Sequence, residues 1–315
     1  MKLSKNSRIF IAGHNGMVGS SVLRFFKKKK YKNIFLRNRK ELNLLDQNKT
    51  YNYLKKIKPD FVIIAAAKVG GIWANQNYKA DFIFENLLIQ ANLIHGSYLA
   101  GVKKLIFLGS SCIYPKLANQ PIKEKYLLDG KLEPTNDAYA IAKIAGVKMC
   151  EAYNKQYKLN YLCLMPTNMY GPNDNYDLEN SHFFPALIKK IYISKIKKKN
   201  KIKIWGNGKA KREIMFVDDL ADACEFFMKK KVNHTIINIG SGEERTIINF
   251  TKYIMKKLNC NLKIDLDKSK PNGTPRKILD CTIAKSYGWK SKFSLDEGFR
   301  VTFQNFINKN LIARN

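Results

Sequence analysis

The sequence predicts an α/β protein built on a doubly wound parallel sheet, with a smaller carboxy-terminal α/β lobe. Three observations support this class. The chain has 315 residues, its first half alternates short apolar runs with longer amphipathic segments, and the pattern changes after Pro166. A chain of this length can bury a large core. Alternating strands and helices require crossover connections, which make neighbouring strands parallel.

The first half of the chain supplies the predicted elements in order. Short apolar runs predict strands at residues 8–12, 33–36, 60–67, 104–108 and 161–165. Amphipathic segments predict the intervening helices at residues 17–28, 49–58, 81–101 and 138–157. The apolar runs contain few polar residues, which is typical of strands covered by helices on both faces.

The regular alternation of predicted strands and helices ends after Pro166. An Asn/Asp-rich stretch at residues 173–180 interrupts the alternation, and a second αβ pattern follows at residues 236–258. Open α/β sheets bind ligands beyond the carboxyl ends of their strands, so we expect the later segments to close a site there. The predicted main domain comprises residues 1–170 with a return segment at about 212–240, and the predicted substrate lobe comprises residues 171–211 and 241–315.

The net charge is strongly positive, with 57 lysines and arginines against 25 acidic residues and a formal charge of +32. Dense lysine runs lie at residues 27–30, 195–203 and 229–231, without interleaved aromatic residues. Single-stranded nucleic acids stack on such aromatics, so no nucleic-acid partner is predicted. A positive field would instead speed the capture of a polyanionic small substrate. A non-catalytic basic protein that binds RNA or anionic lipid stays open as an alternative.

Neither a membrane segment nor a metal site is expected. The longest apolar run, at residues 61–67, is far shorter than the roughly 20 residues of a membrane-spanning helix. The apolar stretch at residues 9–12 is shorter than an export-signal core of about 7 to 15 residues. The six cysteines are widely spaced without a C-x-x-C pair, which argues against a structural zinc. We therefore expect reduced thiols and a cytoplasmic location.

The first predicted strand runs into a glycine-rich loop that leads into a helix. Its G-x-x-G-x-x-G spacing places glycines at the tight turn, at the closest backbone approach to a pyrophosphate, and where helix meets strand. The helix amino terminus adds free N–H groups and a positive dipole. The sequence therefore predicts a dinucleotide site that includes Gly13, Asn15, Gly16, Met17, Val18 and Gly19.

The end of the second predicted strand distinguishes the two nicotinamide cofactors. An NAD site normally has Asp or Glu about 20 residues past the loop, but this chain has Arg37, with Arg39 close by. A guanidinium suits a 2′-phosphate through forked hydrogen bonds. The sequence therefore predicts NADP (NADPH) as the cofactor, with a solvated strand-end arginine as the alternative.

A Tyr-x-x-x-Lys motif opens the predicted helix at residues 138–157. Tyr139 and Lys143 are four residues apart and share one helix face. Because a neighbouring ammonium favours phenolate, we expect the pKa of Tyr139 to lie below its ordinary value of about 10. Ser110 follows the strand predicted at residues 104–108 and is expected to contact the same carbonyl. These residues predict carbonyl reduction with Tyr139 as proton donor.

Several stretches together resemble the extended short-chain dehydrogenase/reductase family, in particular its GDP-4-keto-6-deoxy-D-mannose epimerase-reductases. The matching stretches, spread over nearly the whole chain, are AGHNGMVGS, ELNLLD, AAAKVGGI, LGSSCIYPK, EPTNDAYAIAKIAG, MPTNMYGPNDN, SHFFPALI, FVDD and KPNGTPRK. The resemblance implies a Rossmann-type NADP-binding domain and a nucleotide-sugar lobe. The implied activity is NADPH-dependent conversion of GDP-4-keto-6-deoxy-D-mannose to GDP-L-fucose by C3/C5 epimerisation and then C4 keto reduction.

The resemblance also implies individual roles. Ser110, Tyr139 and Lys143 form the reductase triad, and Cys112 and His182 are the acid and base of epimerisation. A 4-keto group acidifies both flanking C–H bonds, and groups with pKa values of about 8.5 and 6.5 suit proton transfer near neutrality. Without the resemblance, an inert buried thiol is the stronger interpretation of Cys112.

Further binding residues follow from the same resemblance. Those expected at the cofactor, besides the glycine loop and Arg37, are Asp46, Leu108, Gly109, Ser110, Lys143, Pro166, Thr167, Asn168, Met169 and His182. Those expected at the GDP group are Lys190, Trp205, Arg212 and Asp280. Asn15 and Lys190 depart from the family, which usually has arginines near phosphates at these positions. Lys190 keeps the charge but loses the forked geometry, and a core position is an equally good interpretation of Trp205.

Two other activities of the same fold stay open, a nucleotide-sugar 4-epimerase and a 4,6-dehydratase. A dehydratase is expected to have an acidic residue beside the triad serine or threonine, and a 4-epimerase needs no second acid/base pair. Ser111 and Cys112 fit neither expectation well. We also expect a homodimer, because the family pairs the helices predicted at residues 81–101 and 138–157 across a two-fold axis.

Overall fold

A computed structural model describes residues 2–270 and 272–312. Its strands are β1 (Arg8–Ala12), β2 (Asn33–Phe35), β3 (Phe61–Ile64), β4 (Lys104–Leu108), β5 (Asn160–Pro166), β6 (Asn168–Tyr170), β7 (Lys201–Trp205), β8 (Lys211–Phe216), β9 (Ile236–Ile239), β10 (Glu244–Thr246), β11 (Lys263–Asp267) and β12 (Arg276–Lys277). Its α-helices are α1 (Met17–Lys28), α2 (Gln47–Ile57), α3 (Ile72–Asn77), α4 (Lys79–Leu99), α5 (Asp137–Tyr157), α6 (Phe183–Ile196), α7 (Val217–Lys229), α8 (Ile247–Lys257), α9 (Thr282–Ser286) and α10 (Leu295–Ile312).

The main sheet has six strands in the order β2-β1-β3-β4-β5-β9. Every neighbouring pair in it is parallel. The strand order reverses between β1 and β3, and ligands of open α/β sheets bind at such a switch point, beyond the carboxyl ends of the strands. The predicted doubly wound parallel sheet is confirmed.

Two apolar cores lie on opposite faces of this sheet. Along β1, Ile9 and Ile11 pack into the first core, whereas Phe10 and Ala12 pack into the second. This alternation follows from the two-residue period of a strand. Side chains of α1 and α7 complete the first core, and side chains of α2, α4 and α5 complete the second. Burial on both faces therefore explains why the strands are almost wholly apolar.

A smaller lobe stands beside the carboxyl ends of the main strands. In it β8 pairs with β6, β10 and β12, and β7 pairs with β11. A third core that includes Phe184, Phe250 and Phe299 holds α6, α8 and α10 together. Along the predicted return segment, β8 belongs to the lobe, α7 packs on the first core and β9 joins the main sheet. The domain boundaries stay a prediction.

The structure also bears on the expectations about the thiols, a membrane segment and a metal site. All six cysteines are free thiols. Within residues 2–270 and 272–312, no helix combines the length and apolar character needed to cross a membrane. The same part of the chain holds no group of three or more His, Cys, Asp or Glu side chains that could bind a metal ion.

Candidate active site

A cavity lies between the lobe and the carboxyl ends of β4 and β5. It is lined by all the residues expected to be catalytic: Ser110, Cys112, Tyr139, Lys143 and His182. It is also lined by many residues expected at the cofactor: Met17, Val18, Leu108, Gly109, Pro166, Thr167, Asn168 and Met169. Of those expected at the GDP group, Lys190, Trp205 and Arg212 line it. The fold therefore brings most of the predicted site into one cavity.

The glycine loop connects β1 to α1 in a conformation that a larger side chain would not allow. Gly13 has φ +86°, and a Cβ there would lie 2.6 Å from the backbone nitrogen of Ala66. A Cβ on Gly19 would collide with the carbonyl oxygen of Gly13. The first turn of α1 contains no acidic residue, so its positive end is not neutralised. These features fit the pyrophosphate of a dinucleotide.

The two arginines after β2 have different surroundings. The Arg37 guanidinium lies 5.0 Å from the centroid of the Tyr53 ring and donates to the carbonyl oxygen of Leu36 at 2.9 Å. Arg39 lies 3.7 Å from a carboxylate oxygen of Glu85 and is largely exposed. Neither arginine lines the cavity. The role of Arg37 at a 2′-phosphate therefore stays a prediction. Arg39 lies on the same loop and is a second guanidinium that could contact this phosphate.

The triad residues meet at the end of β4. Lys143 is 3% exposed and donates from Nζ to the carbonyl oxygen of Leu108 at 2.8 Å. Burial lowers the pKa of Lys143 to about 8. Burial also raises the pKa of Tyr139, Cys112 adds to that rise, and a hydrogen bond with Ser110 opposes it.

The expected lowering of the Tyr139 pKa is therefore wrong for this structure. Desolvation of the phenolate outweighs the nearby ammonium, because Lys143 directs its hydrogen bond to Leu108 and its Nζ lies 5.9 Å from the centroid of the Tyr139 ring. A phenol that stays protonated is nevertheless well suited to donate a proton to a carbonyl oxygen.

Cys112 lies in the short 3-10 turn after β4, and its thiol faces Lys277. The amine nitrogen of Lys277 is 3.4 Å from the sulfur of Cys112, and the backbone N–H of Cys112 donates to the Ser110 hydroxyl at 3.1 Å. Burial acts to raise the pKa of the thiol, but Lys277, Ser110 and Arg212 together lower it below its ordinary value. The surroundings therefore favour the thiolate, which is the form that removes a proton.

His182 directly precedes α6 and lines the same cavity. Although much of the residue's surface is open to the cavity, the surrounding protein limits hydration of the ring. This desolvation and the charge of Lys277 lower the pKa of His182 to about 4. The imidazole is therefore neutral at pH 7 in this structure, and an anion bound beside Lys277 would favour its protonation.

The lobe end of the cavity is cationic. Lys190 and Lys270 place their amines over the Trp205 ring, 5.5 and 5.4 Å from its centroid. Arg212 donates to the carbonyl oxygen of Asn272 at 3.2 Å, and burial lowers the pKa of Lys190. Cations beside a half-buried aromatic ring suit a diphosphate joined to a nucleobase.

Some predicted residues lie outside the lining of this cavity. Asp46 caps α2 by accepting from the backbone N–H of Lys49 at 3.0 Å, and Asp280 accepts from the backbone N–H of Thr282 at 2.8 Å. Both carboxylates thus have structural partners, and their ligand roles stay predictions. The other predicted residues outside the lining are Gly13, Asn15, Gly16, Gly19 and Arg37.

The lining residues that were not singled out from the sequence include Glu133, Asn272 and Lys277. All three fall within the stretches EPTNDAYAIAKIAG and KPNGTPRK that carry the family resemblance. Only folding shows which members of those stretches face the cavity, because loops and a two-residue strand have no periodicity to reveal it.

The chain matches the NAD dependent epimerase/dehydratase family over residues 9–240. That range begins within β1 and ends just after β9. It includes the glycine loop, the triad, Cys112 and His182, whereas Lys277 lies beyond it.

Several proteins are similar over nearly their whole length. The putative GDP-L-fucose synthase 2 of Arabidopsis thaliana is 48% identical over 305 residues, which cover 97% of this chain and 93% of that protein. The GDP-L-fucose synthase of Sinorhizobium fredii is 47% identical over 308 residues, which cover 98% of each. Among solved structures, the GDP-mannoheptose C4 reductase of Campylobacter jejuni with NADP bound is 35% identical with a TM-score of 0.88, covering 97% of this chain and 99% of that one.

Proposed function

The chain belongs to the NAD dependent epimerase/dehydratase family, and we propose that it converts GDP-4-keto-6-deoxy-D-mannose to GDP-L-fucose with NADPH. The conversion comprises epimerisation at C3 and C5 followed by reduction at C4. Relatives named GDP-L-fucose synthase, at 48% and 47% identity over nearly the full chain, support this assignment.

One observation carries the proposal: the cavity that contains the triad also contains Cys112 paired with Lys277, and His182. Reduction of a ketone requires the triad and a hydride, and nothing more from the chain. A base and an acid in addition to the triad, here Cys112 and His182, are required only when protons bound to carbon must also move. Epimerisation and reduction in one site account for both sets of residues.

Epimerisation needs a base and an acid on opposite faces of the sugar. The C4 keto group acidifies the C–H bonds at C3 and C5, and Cys112, whose pKa Lys277 lowers, removes a proton as the thiolate. Ser110 and Tyr139 donate hydrogen bonds to the resulting enolate oxygen. His182, which takes a proton from solvent when the bound anion favours its charged form, returns a proton to the opposite face of the same carbon.

Reduction uses the same carbonyl. Bound NADPH supplies the hydride that adds to C4. Tyr139 transfers its phenolic proton to the C4 oxygen, and its raised pKa keeps that proton available. Lys143, anchored to the Leu108 carbonyl oxygen, supplies positive charge beside the phenolate that remains. Solvent then restores the proton to Tyr139.

NADPH is supported as the reductant by the glycine loop and by the arginines after β2. Gly13 and Gly19 approach neighbouring backbone too closely for larger side chains, which is typical of the tight turn that holds a pyrophosphate. Arg37 and Arg39 supply guanidinium groups for a 2′-phosphate. The NADP bound in the similar Campylobacter jejuni reductase agrees with this choice.

A second candidate is C4 reduction of a GDP-sugar without epimerisation, because one similar structure is named a C4 reductase. The activated thiol of Cys112 has no role in such a reaction, so we favour the combined activity. A 4,6-dehydratase is less well supported because the residue after Ser110 is Ser111 rather than an acid. A 4-epimerase leaves Cys112 and His182 without a role.

We also propose a homodimer through α4 and α5, which pack side by side. Their surfaces carry the exposed apolar residues Phe84, Leu99, Ile141 and Tyr157. Apolar residues repeated on two adjoining helices suit a closed two-fold interface. A GDP-sugar, rather than nucleic acid or a membrane, is the proposed partner. The free thiols agree with a reducing compartment such as the cytoplasm.

The test is product analysis by NMR after incubation with NADPH and GDP-4-keto-6-deoxy-D-mannose. We expect GDP-L-fucose, with inverted configuration at C3 and C5. A 6-deoxy product reduced at C4 with C3 and C5 unchanged would favour the second candidate. Absence of turnover, with NADPH binding retained, would contradict both.

A further inference from the structure

Several polar side chains line the cavity without a role in the chemistry above. Four of them each leave one buried atom without a hydrogen-bond partner within the described residues: Asn75 Oδ1, Thr135 Oγ1, Asn136 Oδ1 and Ser181 Oγ. Buried polar atoms in folded proteins nearly always have a partner. Such a group in one cavity therefore indicates a ligand that supplies the missing hydrogen bonds.

The unpaired atoms are mainly acceptors. Asn75 uses its amide N–H groups for the carbonyl oxygens of Gly70 and Gly71, both at 2.9 Å, so its oxygen is the unused atom. The carboxylate of Glu133 can only accept when ionised. Acceptors repel phosphate oxygens but pair with hydroxyl groups. This part of the cavity therefore suits a sugar, whereas Lys190 and Arg212 at the lobe end suit the diphosphate.

Glu133 stands out because a carboxylate is costly to bury with few partners. It is 7% exposed. One carboxylate oxygen accepts a long hydrogen bond of 3.4 Å from the backbone N–H of Thr135. The other lies 3.1 Å from the amine of Lys116, itself part-exposed. An ionised carboxylate has about four acceptor sites, so Glu133, which lines the cavity, keeps acceptor capacity beyond these two contacts.

The position of Glu133 is fixed relative to the reacting carbons. Its carbonyl oxygen accepts from the backbone N–H of Asn136 at 3.1 Å, and α5 begins at the next residue, Asp137, and carries Tyr139. Glu133 and Cys112 both act electrostatically on Arg212, so both lie near that guanidinium. Glu133 and Tyr139 line the same cavity, and a ring hydroxyl of a substrate held at C4 by Tyr139 is the kind of group that this carboxylate binds.

The inference rests on the proposed function, because the proposed substrate determines which ring hydroxyl can bind Glu133 throughout the reaction. Carbons 3, 4 and 5 of the hexose react, C6 is a methyl group and C1 carries the diphosphate. The 3-hydroxyl changes faces when C3 inverts, so it cannot keep one partner throughout. We propose that Glu133 accepts a hydrogen bond from the 2-hydroxyl and holds the ring in place while C3 and C5 invert.

The test compares equilibrium binding of two probes that differ by one oxygen. GDP-mannose has the 2-hydroxyl, and the GDP ester of 2-deoxy-D-arabino-hexose lacks only that group; neither has a 4-keto group to react. Hydrogen bonds to charged groups correspond to roughly tenfold to hundredfold in affinity. We expect the wild-type protein to prefer GDP-mannose by a factor in that range, measured by titration calorimetry.

The variant Glu133→Met removes both carboxylate oxygens and is expected to bind the two probes within about twofold of each other. Its affinity for GDP is expected to be unchanged, which also shows that the cavity is folded. Glu133→Gln serves as a milder second variant, with an intermediate preference. Asp129→Asn, an exposed acid before the same loop, is the matched control and keeps the wild-type preference.

Lys116→Gln separates a sugar contact from a merely structural ion pair. We expect it to keep the preference for GDP-mannose, because Glu133 can still accept from the sugar. Equal affinity of the wild-type protein for both probes would overturn the inference. So would a loss of preference in Lys116→Gln as large as the loss in Glu133→Met. Wild-type preference without conversion of the 4-keto substrate would instead count against the proposed function.

Discussion

The amine nitrogen of Lys277 lies 3.4 Å from the sulfur of Cys112, although the two residues are 165 positions apart in the chain. Cys112 follows a strand of the main sheet, and Lys277 ends the two-residue strand β12 of the lobe. The lobe therefore does more than close the cavity. It delivers the charge that favours the thiolate of Cys112.

Replacing Lys277 with Met is expected to raise the pKa of the Cys112 thiol, because the neighbouring cation is lost while burial remains. Alkylation of Cys112 by iodoacetamide, followed by mass spectrometry against pH, should show a higher midpoint than in the wild-type protein. Hydrogen exchange at C3 and C5 should slow by roughly tenfold or more. Lys285→Met, on the exposed side of α9, is the control. An unchanged alkylation profile in Lys277→Met would remove Lys277 from this role.

Replacing Arg37 with Ala is expected to weaken the preference for NADPH over NADH. Loss of a charge-assisted bidentate contact corresponds to about 1.5 to 3 kcal/mol, or roughly tenfold to hundredfold in affinity. The measurement is kcat/KM with each cofactor. Arg39→Ala is the paired variant, because Arg39 lies on the same loop. Comparable kcat/KM values for NADPH and NADH in the wild-type protein would contradict the cofactor assignment. A weaker preference in Arg39→Ala alone would assign the 2′-phosphate contact to Arg39 instead of Arg37.

Replacing Lys143 with Met is expected to stabilise the protein at pH 7 while abolishing hydride transfer. The folded-state pKa of about 8, against an ordinary 10.5, corresponds to a penalty of about 3 kcal/mol for the buried ammonium. The variant also loses the hydrogen bond to the Leu108 carbonyl oxygen. This loss reduces its expected gain in unfolding free energy by about 1 kcal/mol.

The sign of this effect depends on pH. Below pH 8 the ammonium is charged in both states and only burial penalises it. Between pH 8 and 10.5 the unfolded chain binds the extra proton, so the wild-type protein gains stability as pH rises. Urea unfolding should therefore show an advantage of about 2 kcal/mol for Lys143→Met at pH 7 that shrinks towards pH 10. A variant less stable than wild type at pH 7 would refute the buried-charge account.

The dimer is tested by placing charges on the proposed interface. Phe84 and Ile141 are 60% and 48% exposed on α4 and α5, and the double variant Phe84→Asp, Ile141→Asp is expected to be monomeric by light scattering, because buried unpaired carboxylates oppose association. Leu117→Asp, at an 80% exposed apolar residue outside these helices, should leave the dimer intact. A wild-type monomer at micromolar concentration would contradict the proposal.

The main sheet could be predicted from the sequence because its signals are local. Apolar strands of three to seven residues, a glycine loop and long amphipathic helices each occupy one continuous stretch of chain. The triad could be predicted for the same reason, since Tyr139 and Lys143 are one helical turn apart.

Other parts of the site depend on contacts that no local pattern encodes. The partner of Cys112 comes from another lobe, and the raised pKa of Tyr139 results from burial that the motif does not reveal. Asp46 illustrates a different limit. The resemblance places it at the cofactor, and the sequence predicts the helix only from residue 49, whereas in the structure the helix begins at Gln47 and Asp46 caps it.

The central claim is that one cavity performs two chemistries with separate residues, and deuterium incorporation measures them separately. The substrate is incubated in deuterium oxide, and NMR follows exchange at C3 and C5 while absorbance follows NADPH oxidation. Tyr139→Phe is expected to lose NADPH oxidation but to retain more of the exchange, because Ser110 still polarises the carbonyl.

Cys112→Ser and His182→Asn are expected to suppress exchange at C3 and C5 by about 10² to 10⁴, the range for general acid–base groups. NADPH binding should be retained in Cys112→Ser, because Cys112 lies neither in the glycine loop nor at Arg37, and it is measured separately for His182→Asn, because His182 is also expected at the cofactor. Wild-type exchange rates in both variants would contradict the account and would leave Cys112 and His182 with packing roles only.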